Sequence, residues 1–318
     1  MMQLRVADAK ALAADVRLIR LETIDGAPLP GFAPGSHLAL DFQLGDVAVQ
    51  RKYSLISDPK GGAYYEIAVK NHLNGRGGSA FLHDVLPIGA ALEASAPISE
   101  FSAASDGLHH VLIAGGIGIT PMLSIFSQLR RSGASYELHY SAKSREAMVL
   151  KDRLLEQDSE RVTLYFTQSD SFRRMNVDQL LADHADHGAT HFYVCGPAAL
   201  IDRVRLAAES HRVQKRRVHF ESFGPAWASS DGPVKLSLSE SGIDLDVPAG
   251  TTLLDAMEAA GAWMASDCRR GECGACIASY TSGKPIHRDN CLTEEQRAHS
   301  FCPCVSWASS TEVLTLQL

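Results

Sequence analysis

Residues 4–6, 16–21, 37–42, 51–55 and 64–69 alternate apolar and polar side chains, so that each segment turns one face toward a core, and turn-rich stretches at 28–35 and 58–62 separate them. Short strands at such even spacing predict an antiparallel β-barrel over residues 1–103, with one short helix at 79–85. Near Leu108 the pattern changes. Residues 110–114 form a continuous apolar run of the kind shown by a parallel strand covered on both faces, and 136–140, 162–166 and 191–194 repeat it. Helical segments at 121–131, 146–157 and 197–211 alternate with these runs, which predicts an α/β doubly wound parallel sheet over 104–225. Thr120 and Pro121 are placed to be the N-cap and first residue of the first helix. Residues 222–232, rich in Ser, Gly, Pro and Ala, have the composition of a linker. Beyond them a hairpin (234–238 and 243–247), a helix (252–260), a cysteine-rich loop and a last strand (313–318) predict a compact α+β domain over 232–318.

A multidomain chain suits the length of 318 residues, and the hydrophobic share of 45% and charged share of 21% are those of a globular protein. Residues 1–10 lack a continuous apolar segment, and the longest mostly apolar run, 111–126, is interrupted by glycines and a proline and is shorter than a membrane span. A soluble, cytoplasmic protein with no membrane attachment is expected. The net charge of −7 argues against nucleic-acid binding. Residues 232–318 hold six Lys/Arg against eleven Asp/Glu, which concentrates the negative excess there. Four of the seven cysteines fall between Cys268 and Cys291. In a reducing compartment, thiols clustered in this way are more often metal ligands or catalytic groups than crosslinks.

Cys268, Cys273 and Cys276 follow C-x4-C-x2-C, the spacing by which a plant-type [2Fe–2S] cluster is held. Gly271 and Gly274 let the intervening backbone curl around the sulfurs. A structural zinc is the competing reading, but zinc ribbons pair two close C-x2-C units and this loop has one. Spacing leaves Cys291, Cys302 and Cys304 open as the fourth ligand. Gly115, Gly116 and Gly118, in G-G-I-G-I-T-P-M, lie between a strand and a helix, where glycine backbone can approach a pyrophosphate; glycines in a tight turn can equally be structural. Cys195, Gly196 and Pro197 end the fourth strand at the carboxyl edge where such sheets bind ligands, although a lone cysteine there is often only a small buried apolar residue. Arg51, Tyr53, Ser54 and Leu55, with Arg76, Gly77, Gly78 and Ser79, combine cations, hydroxyls and glycine amides suited to a phosphate with an aromatic ring able to cover a planar group.

In this order, and over essentially the whole chain, the motifs resemble the phthalate dioxygenase reductase and vanillate O-demethylase reductase family within the ferredoxin–NADP reductase superfamily. The resemblance implies FMN on the barrel, contacted by Arg51, Tyr53, Ser54, Leu55, Arg76, Gly77, Gly78 and Ser79. It implies NADH at Gly115, Gly116, Gly118, Thr120 and Pro121, with Cys195 and Gly196 near the nicotinamide and Phe223 near the flavin. Cys195, Ser54 and Phe223 are then the candidate catalytic residues. The last domain becomes a plant-type ferredoxin of β-grasp form, and the family's cysteine before Val-Ser selects Cys304 as the fourth metal ligand beside Cys268, Cys273 and Cys276. The second predicted strand of this sheet, 136–140, ends without a carboxylate for a ribose 2′-hydroxyl, and Lys143 and Arg145 tolerate a 2′-phosphate, so NADPH stays open beside NADH. Trp307 stands where relatives are expected to carry a basic residue, which alters the charge beside Cys304.

The implied function is the reductase component of a two-component Rieske-type oxygenase system, acting on an aromatic acid, its methyl ether or a quaternary amine. A flavin suits that path because it accepts an electron pair from nicotinamide and releases single electrons to a cluster. The acidic last domain suits docking on a basic patch of the oxygenase. A stand-alone NAD(P)H oxidase or diaphorase and a non-enzymatic redox sensor are the competing functions.

Overall fold

The computed structural model describes residues 1–72, 77–168, 173–185, 189–223, 231–267, 269 and 271–318, with Val47 described by its backbone alone. The chain forms two compact units, Met1–Phe223 and Gly224–Leu318. No helix among the described residues is long and apolar enough to cross a membrane.

The period-two alternation of the first unit yields β1 (Met2–Ala13), β2 (Val16–Thr23), β3 (His37–Leu44), β4 (Val47–Ser54), β5 (Tyr65–Lys70) and β6 (Ala91–Ala94), arranged β4-β3-β6-β1-β2-β5. Their pairings are antiparallel. Leu55 bridges Ile67, and the Ile56 N–H donates to the Glu66 carbonyl at 2.9 Å, so the continuation of β4 meets β5 and closes the barrel. Inside lie Leu4, Ile19, Leu21, Leu38, Leu40, Ile67 and Val69, all without accessible surface. The helix expected at 79–85 is one α-turn, α1 (Gly78–Ala80), continuing as a π-turn Phe81–Val85.

The sheet that follows is parallel. It contains β7 (His109–Gly115), β8 (Ser135–Ala142), β9 (Val162–Phe166), β10 (Thr190–Cys195) and β11 (Val218–Glu221), in the order β11-β10-β7-β8-β9. The helices are α2 (Ile119–Ser132), α3 (Lys151–Asp158), α4 (Val177–Ala185) and α5 (Ala198–Ser210). Residues of α2 and α3 pack with Leu112, Ala114 and Leu138, whereas residues of α4 and α5 pack with Val111, Ile113, Phe192 and Val194. Because neighbouring strand residues point to opposite faces, the helices cover both sides of the sheet. The start of α2 corrects the sequence expectation. A 3-10 turn, Gly116–Gly118, leads straight into the helix, Gly118 occupies the cap position, and Thr120 lies within the helix with its hydroxyl donating to the Ile117 carbonyl at 3.0 Å. Gly118 already has helical φ and ψ, so no extended residue exists from which a side chain could cap. Likewise α3 begins at Lys151, later than its periodicity indicated, because Leu150 adopts a left-handed φ of 63°.

A single apolar cluster joins barrel and sheet: Val16, Leu18, Ile56, Ala68 and Phe101 pack with Leu112, Ile119, Met122 and Phe126. The Gly35 N–H donates to Ser124 Oγ at 2.8 Å, and a Cβ at Gly35 would overlap the Phe101 carbonyl. Buried Glu66 on β5 pairs with Arg20 of β2 at 3.1 Å and with Arg153 of α3 at 2.8 Å.

In the second unit, β12 (Val234–Leu238) and β13 (Ile243–Val247) form the expected hairpin, followed by α6 (Leu253–Ala259), β14 (Ala278–Ser282), β15 (Pro285–Ile286), α7 (Glu294–Arg297), β16 (Ser300–Phe301), β17 (Trp307–Ala308) and β18 (Leu314–Leu316). Five strands order as β13-β12-β18-β14-β16, with β12 and β18 parallel. Thr252 caps α6, its Oγ1 accepting from the Asp255 N–H at 3.0 Å. Trp307 is buried, and its indole N–H donates to the Gly232 carbonyl at 3.0 Å, so it anchors the entrance to this unit. Residues 224–230 of the expected linker lie outside the described residues.

A ladder of imidazoles crosses one face of the parallel sheet. His191 Nδ1 lies 2.9 Å from His219 Nε2, and Tyr193 stacks on His219 with ring centroids 4.7 Å apart. Burial, then the charges of His191 and His110, pull His219 down to about 4 against the opposing pull of Asp106. Burial also lowers His110 and His191, with Arg216 and Arg217 adding to the fall at His191. A histidine whose folded pKa lies below its unfolded value contributes stability that is complete above about pH 6.5 and is lost as the unfolded chain takes up protons at lower pH. The melting temperature of the first unit, followed by release of its flavin, should fall as pH drops from about 6.5 toward 4.5, and His219→Gln should flatten that fall. An unchanged slope in the variant would remove the ladder as its cause.

Candidate functional site

The strand order reverses between β7 and β10, and ligands of open α/β sheets bind outside the carboxyl ends of the strands at such a point. Cys195 is paired there with Ala114 of β7 and Glu221 of β11. The glycines of the two adjoining loops face each other. A Cβ on Gly118 would overlap the Cys195 carbonyl, one on Gly115 would lie 2.7 Å from Pro197 Cδ, and one on Gly196 would lie 3.0 Å from Gly115 Cα. Gly118 and Gly196 are therefore needed where backbone meets backbone, and Gly115 where the Pro197 ring and Leu200 crowd it. Gly116 differs, with φ 56° and open space where a Cβ would stand, so it is the loop glycine with room for a ligand. Thr120 and Pro121 are buried in the first turn of α2. Cys195 has no accessible surface, and Phe223 packs against the apolar cluster to which Cys195 belongs.

A cavity of about 270 Å³ opens beside these loops, lined by Ser141, Thr167, Arg174, Met175, Leu200 and Arg203. Lys143 and Arg145, the cations singled out in the sequence, do not line it; the Arg145 guanidinium lies over the Phe166 ring, 5.0 Å from its centroid. Leu200 and Arg203 share a face of α5 one turn apart, a pattern legible in the sequence. Thr167 and Arg174 sit in loop context that carries no local signal.

On the barrel, Arg51, Tyr53 and Ser54 of β4 pair with Leu40, Leu38 and His37 of β3. A Cβ on Gly78 would lie 2.9 Å from Arg51 Nε and 3.0 Å from its Cγ, so the Arg51 side chain lies across the loop that contains Gly77 and Gly78. Gly77 has φ 78°, and Ser79 Oγ accepts from the His72 N–H at 3.1 Å. Arg76 lies outside the described residues. Leu55 is fully buried in the barrel core. Ser54 is 4% exposed, and its hydroxyl has no hydrogen-bond partner among the described residues. A buried unpaired hydroxyl calls for a partner, and the polar edge of a flavin ring supplies one. With a cation and glycine amides nearby for a phosphate, these residues fit a flavin.

In the second unit, Gly271 and Gly274 have φ values of 72° and 74°, and Arg269 has 52°. A Cβ on Gly271 would come 2.6 Å from Val305 Cγ2 and 2.9 Å from Asp289 Cα, so only glycine lets the loop press against these segments. Arg269 ties the loop to α6 through Asp255 at 2.9 Å and through Glu258. Cys268 and Arg270 lie outside the described residues. Cys276, 4% exposed, and Cys304, 2% exposed, are within hydrogen-bonding reach of each other, and the Ala275 N–H lies 3.4 Å from Cys273 Sγ. Cys302 also touches Cys276, and its sulfur lies 3.4 Å from that of Cys291. Hydrogen bonds with Cys302 and then Cys304 lower the Cys276 thiol, against a burial effect that would raise it. Converging thiols and sulfur-directed amides fit an iron–sulfur cluster.

A flavin barrel, a dinucleotide-binding sheet and an iron–sulfur unit on one chain define an oxidoreductase linking nicotinamide to an iron–sulfur cluster. Residues 3–102 match the oxidoreductase FAD-binding domain family, residues 112–206 the oxidoreductase NAD-binding domain family, and residues 236–309 the 2Fe–2S iron–sulfur cluster binding domain family. The chain is 36% identical to the heme-dependent oxidative N-demethylase beta subunit of Ectopseudomonas mendocina, over 99% of this chain and 98% of that one. It is 35% identical to the carnitine monooxygenase reductase subunit of Escherichia coli K12, with the same coverage of each. Among solved structures, phthalate dioxygenase reductase, described as a modular structure for electron transfer from pyridine nucleotides to [2Fe–2S], aligns with a TM-score of 0.77 and 34% identity over 100% of this chain and 98% of that chain. The chain belongs to the phthalate dioxygenase reductase family.

The two kinds of glycine are separable by mutation. Gly118→Ala drives a Cβ into backbone and should destabilise the first unit by about 3 kcal/mol, the upper part of the overpacking range. Gly116→Ala meets no atom and should cost only the left-handed backbone term, about 1 kcal/mol. Thermal melting of both variants checks the difference.

Proposed function

We propose that this chain is the cytoplasmic NADH-dependent reductase component of a two-component oxygenase, that its flavin is FMN, and that its partner is a Rieske-type oxygenase. The observation that carries the reading is similarity along the full chain to reductase subunits of oxygenases, with all three electron-transfer domains retained. A bound flavin supplies the conversion between hydride and single-electron chemistry. The chain's residues bind and orient. Arg51, with Arg76, Gly77, Gly78 and Ser79, holds the flavin phosphate; Tyr53 covers the ring, Ser54 donates its hydroxyl to the ring's polar edge, and Leu55 fixes the strand end. Gly116 offers its amide to the nicotinamide pyrophosphate, on loops that Gly115, Gly118, Thr120, Pro121 and Gly196 keep in place. Ser141, Thr167, Arg174 and Arg203 receive the adenosine end, with cations that also suit a 2′-phosphate. Phe223 flanks the nicotinamide as it approaches the flavin, with Cys195 buried behind it. Cys268, Cys273, Cys276 and Cys304 ligate the cluster.

Outside this path, Trp263 is 85% exposed in the segment leading to the cysteine loop. An exposed tryptophan in such a position is a natural docking contact, and the surrounding unit's negative charge favours a basic partner surface. A second reading, delivery to a haem oxygenase, is favoured by the likeness to the heme-dependent N-demethylase beta subunit.

Cys304→Ser should abolish the visible iron–sulfur absorption while Cys302→Ser retains it; the reverse outcome would transfer the fourth ligand to Cys302. With purified candidate oxygenases, NADH-driven turnover should require the Rieske type, decline as ionic strength rises, and show a KM for the oxygenase raised about tenfold in Trp263→Ala, while ferricyanide reduction stays constant. Turnover with a haem oxygenase alone would establish the second reading, and equally fast NADH oxidation by O₂ without any oxygenase would favour a stand-alone oxidase.

A further inference from the structure

At the amino end of the parallel sheet, opposite the edge assigned to the nicotinamide, imidazoles and one carboxylate converge from three elements. His109 opens β7, Glu137 and His139 stand on β8, and His184 lies near the end of α4. In register, Val111 faces Glu137 and Ile113 faces His139, so His109, Glu137 and His139 project from one face of the sheet, the face against which α4 packs.

His184 Nε2 lies 2.6 Å from Glu137 Oε1, and His109 Nε2 lies 3.8 Å from the same oxygen. One donor atom from each of His109, Glu137 and His184 falls within 4.8 Å of the others. His139 Nε2 lies 3.5 Å from the second oxygen, Oε2. Donors bound to a tetrahedral zinc at about 2.0–2.1 Å lie about 3.3 Å from one another, so small side-chain adjustments would bring the three donors into ligand geometry.

The second ring nitrogens of His109 and His139 are already engaged. His109 Nδ1 lies 2.8 Å from Ser135 Oγ, and His139 Nδ1 lies 2.9 Å from the Tyr165 hydroxyl. That arrangement turns both Nε2 atoms toward Glu137, as outer partners do around metal-bound histidines. A plain ion-pair network would satisfy these atoms with directed hydrogen bonds. Here three imidazoles crowd one half-buried carboxylate, and no well-aligned hydrogen bond forms at Glu137 Oε1, His109 Nε2 or His139 Nε2 among the described residues, although His184 Nε2 stands 2.6 Å from Oε1.

We propose that His109, Glu137 and His184 form a zinc site, with His139 hydrogen-bonded to the free carboxylate oxygen and the fourth coordination position left to water. Two imidazoles and a carboxylate are a donor set suited to zinc. The ion would clamp α4 to β7 and β8 and so stabilise the sheet from the end remote from hydride transfer, independently of which oxygenase the chain serves.

The test uses the flavin- and iron-loaded protein. After incubation with Zn²⁺ and removal of excess, wild type should retain one more zinc per chain than His109→Gln/His184→Gln, by elemental analysis, and its melting temperature should rise by about 5 °C while that of the variant does not. Unchanged flavin and iron content in the variant establishes that it is folded. Should the double variant fail to load, the near-isosteric Glu137→Gln replaces it, with the same loss of zinc and of the melting shift expected. Equal zinc retention and equal melting shifts in wild type and a loaded variant, or none in either, would overturn the proposal.

Discussion

Hydride moves only between atoms in near contact, about 3–3.5 Å apart, and this short range governs the first unit. A barrel that holds a flavin and a sheet that holds a nicotinamide are useful together only if they cannot drift by an ångström. Besides the barrel's own core and the core under α4 and α5, the chain meets that demand with an apolar cluster that the two halves share. Phe101 and Ile56 from the barrel share a cluster with Ile119 and Met122 of α2. Around the cluster, Gly35 bonds to Ser124, and the Ala104 N–H donates to the Tyr193 hydroxyl at 2.7 Å. Glu66 adds a buried two-arginine tie from β2 and β5 to α3. Breaking one arm of that tie would leave a buried charge less compensated.

The same short range explains the glycines at the strand ends. A dinucleotide site at the switch point needs the loops after β7 and β10 close together, and side chains on Gly115, Gly118 or Gly196 would force them apart. Packing, more than direct ligand contact, sets most of the glycine pattern, and Gly116 is left to face outward. In the second unit, glycine serves another end. Gly271 and Gly274 adopt left-handed backbone, Gly271 where a Cβ would press on Val305 and Asp289, and Arg269 fastens the loop to α6. The second unit has an apolar core of its own.

Sequence by itself determined what depends on neighbours along the chain. Strand alternation, the apolar runs of the parallel sheet, the hairpin of β12 and β13 and the C-x4-C-x2-C spacing are local patterns, and they carried the fold and the cofactor classes. Tertiary structure decided what depends on residues far apart in sequence. It made Gly118 the cap in place of Thr120, left the Ser54 hydroxyl buried without a hydrogen-bond partner among the described residues, and put Arg174 and Arg203 at the cavity in place of Lys143 and Arg145. It also gathered His109, Glu137 and His184 from two strands and a helix with no shared motif. The physical reason is that periodicity reports which face of an element is buried, whereas sites arise where separate elements meet, and that meeting is fixed only when the cores close.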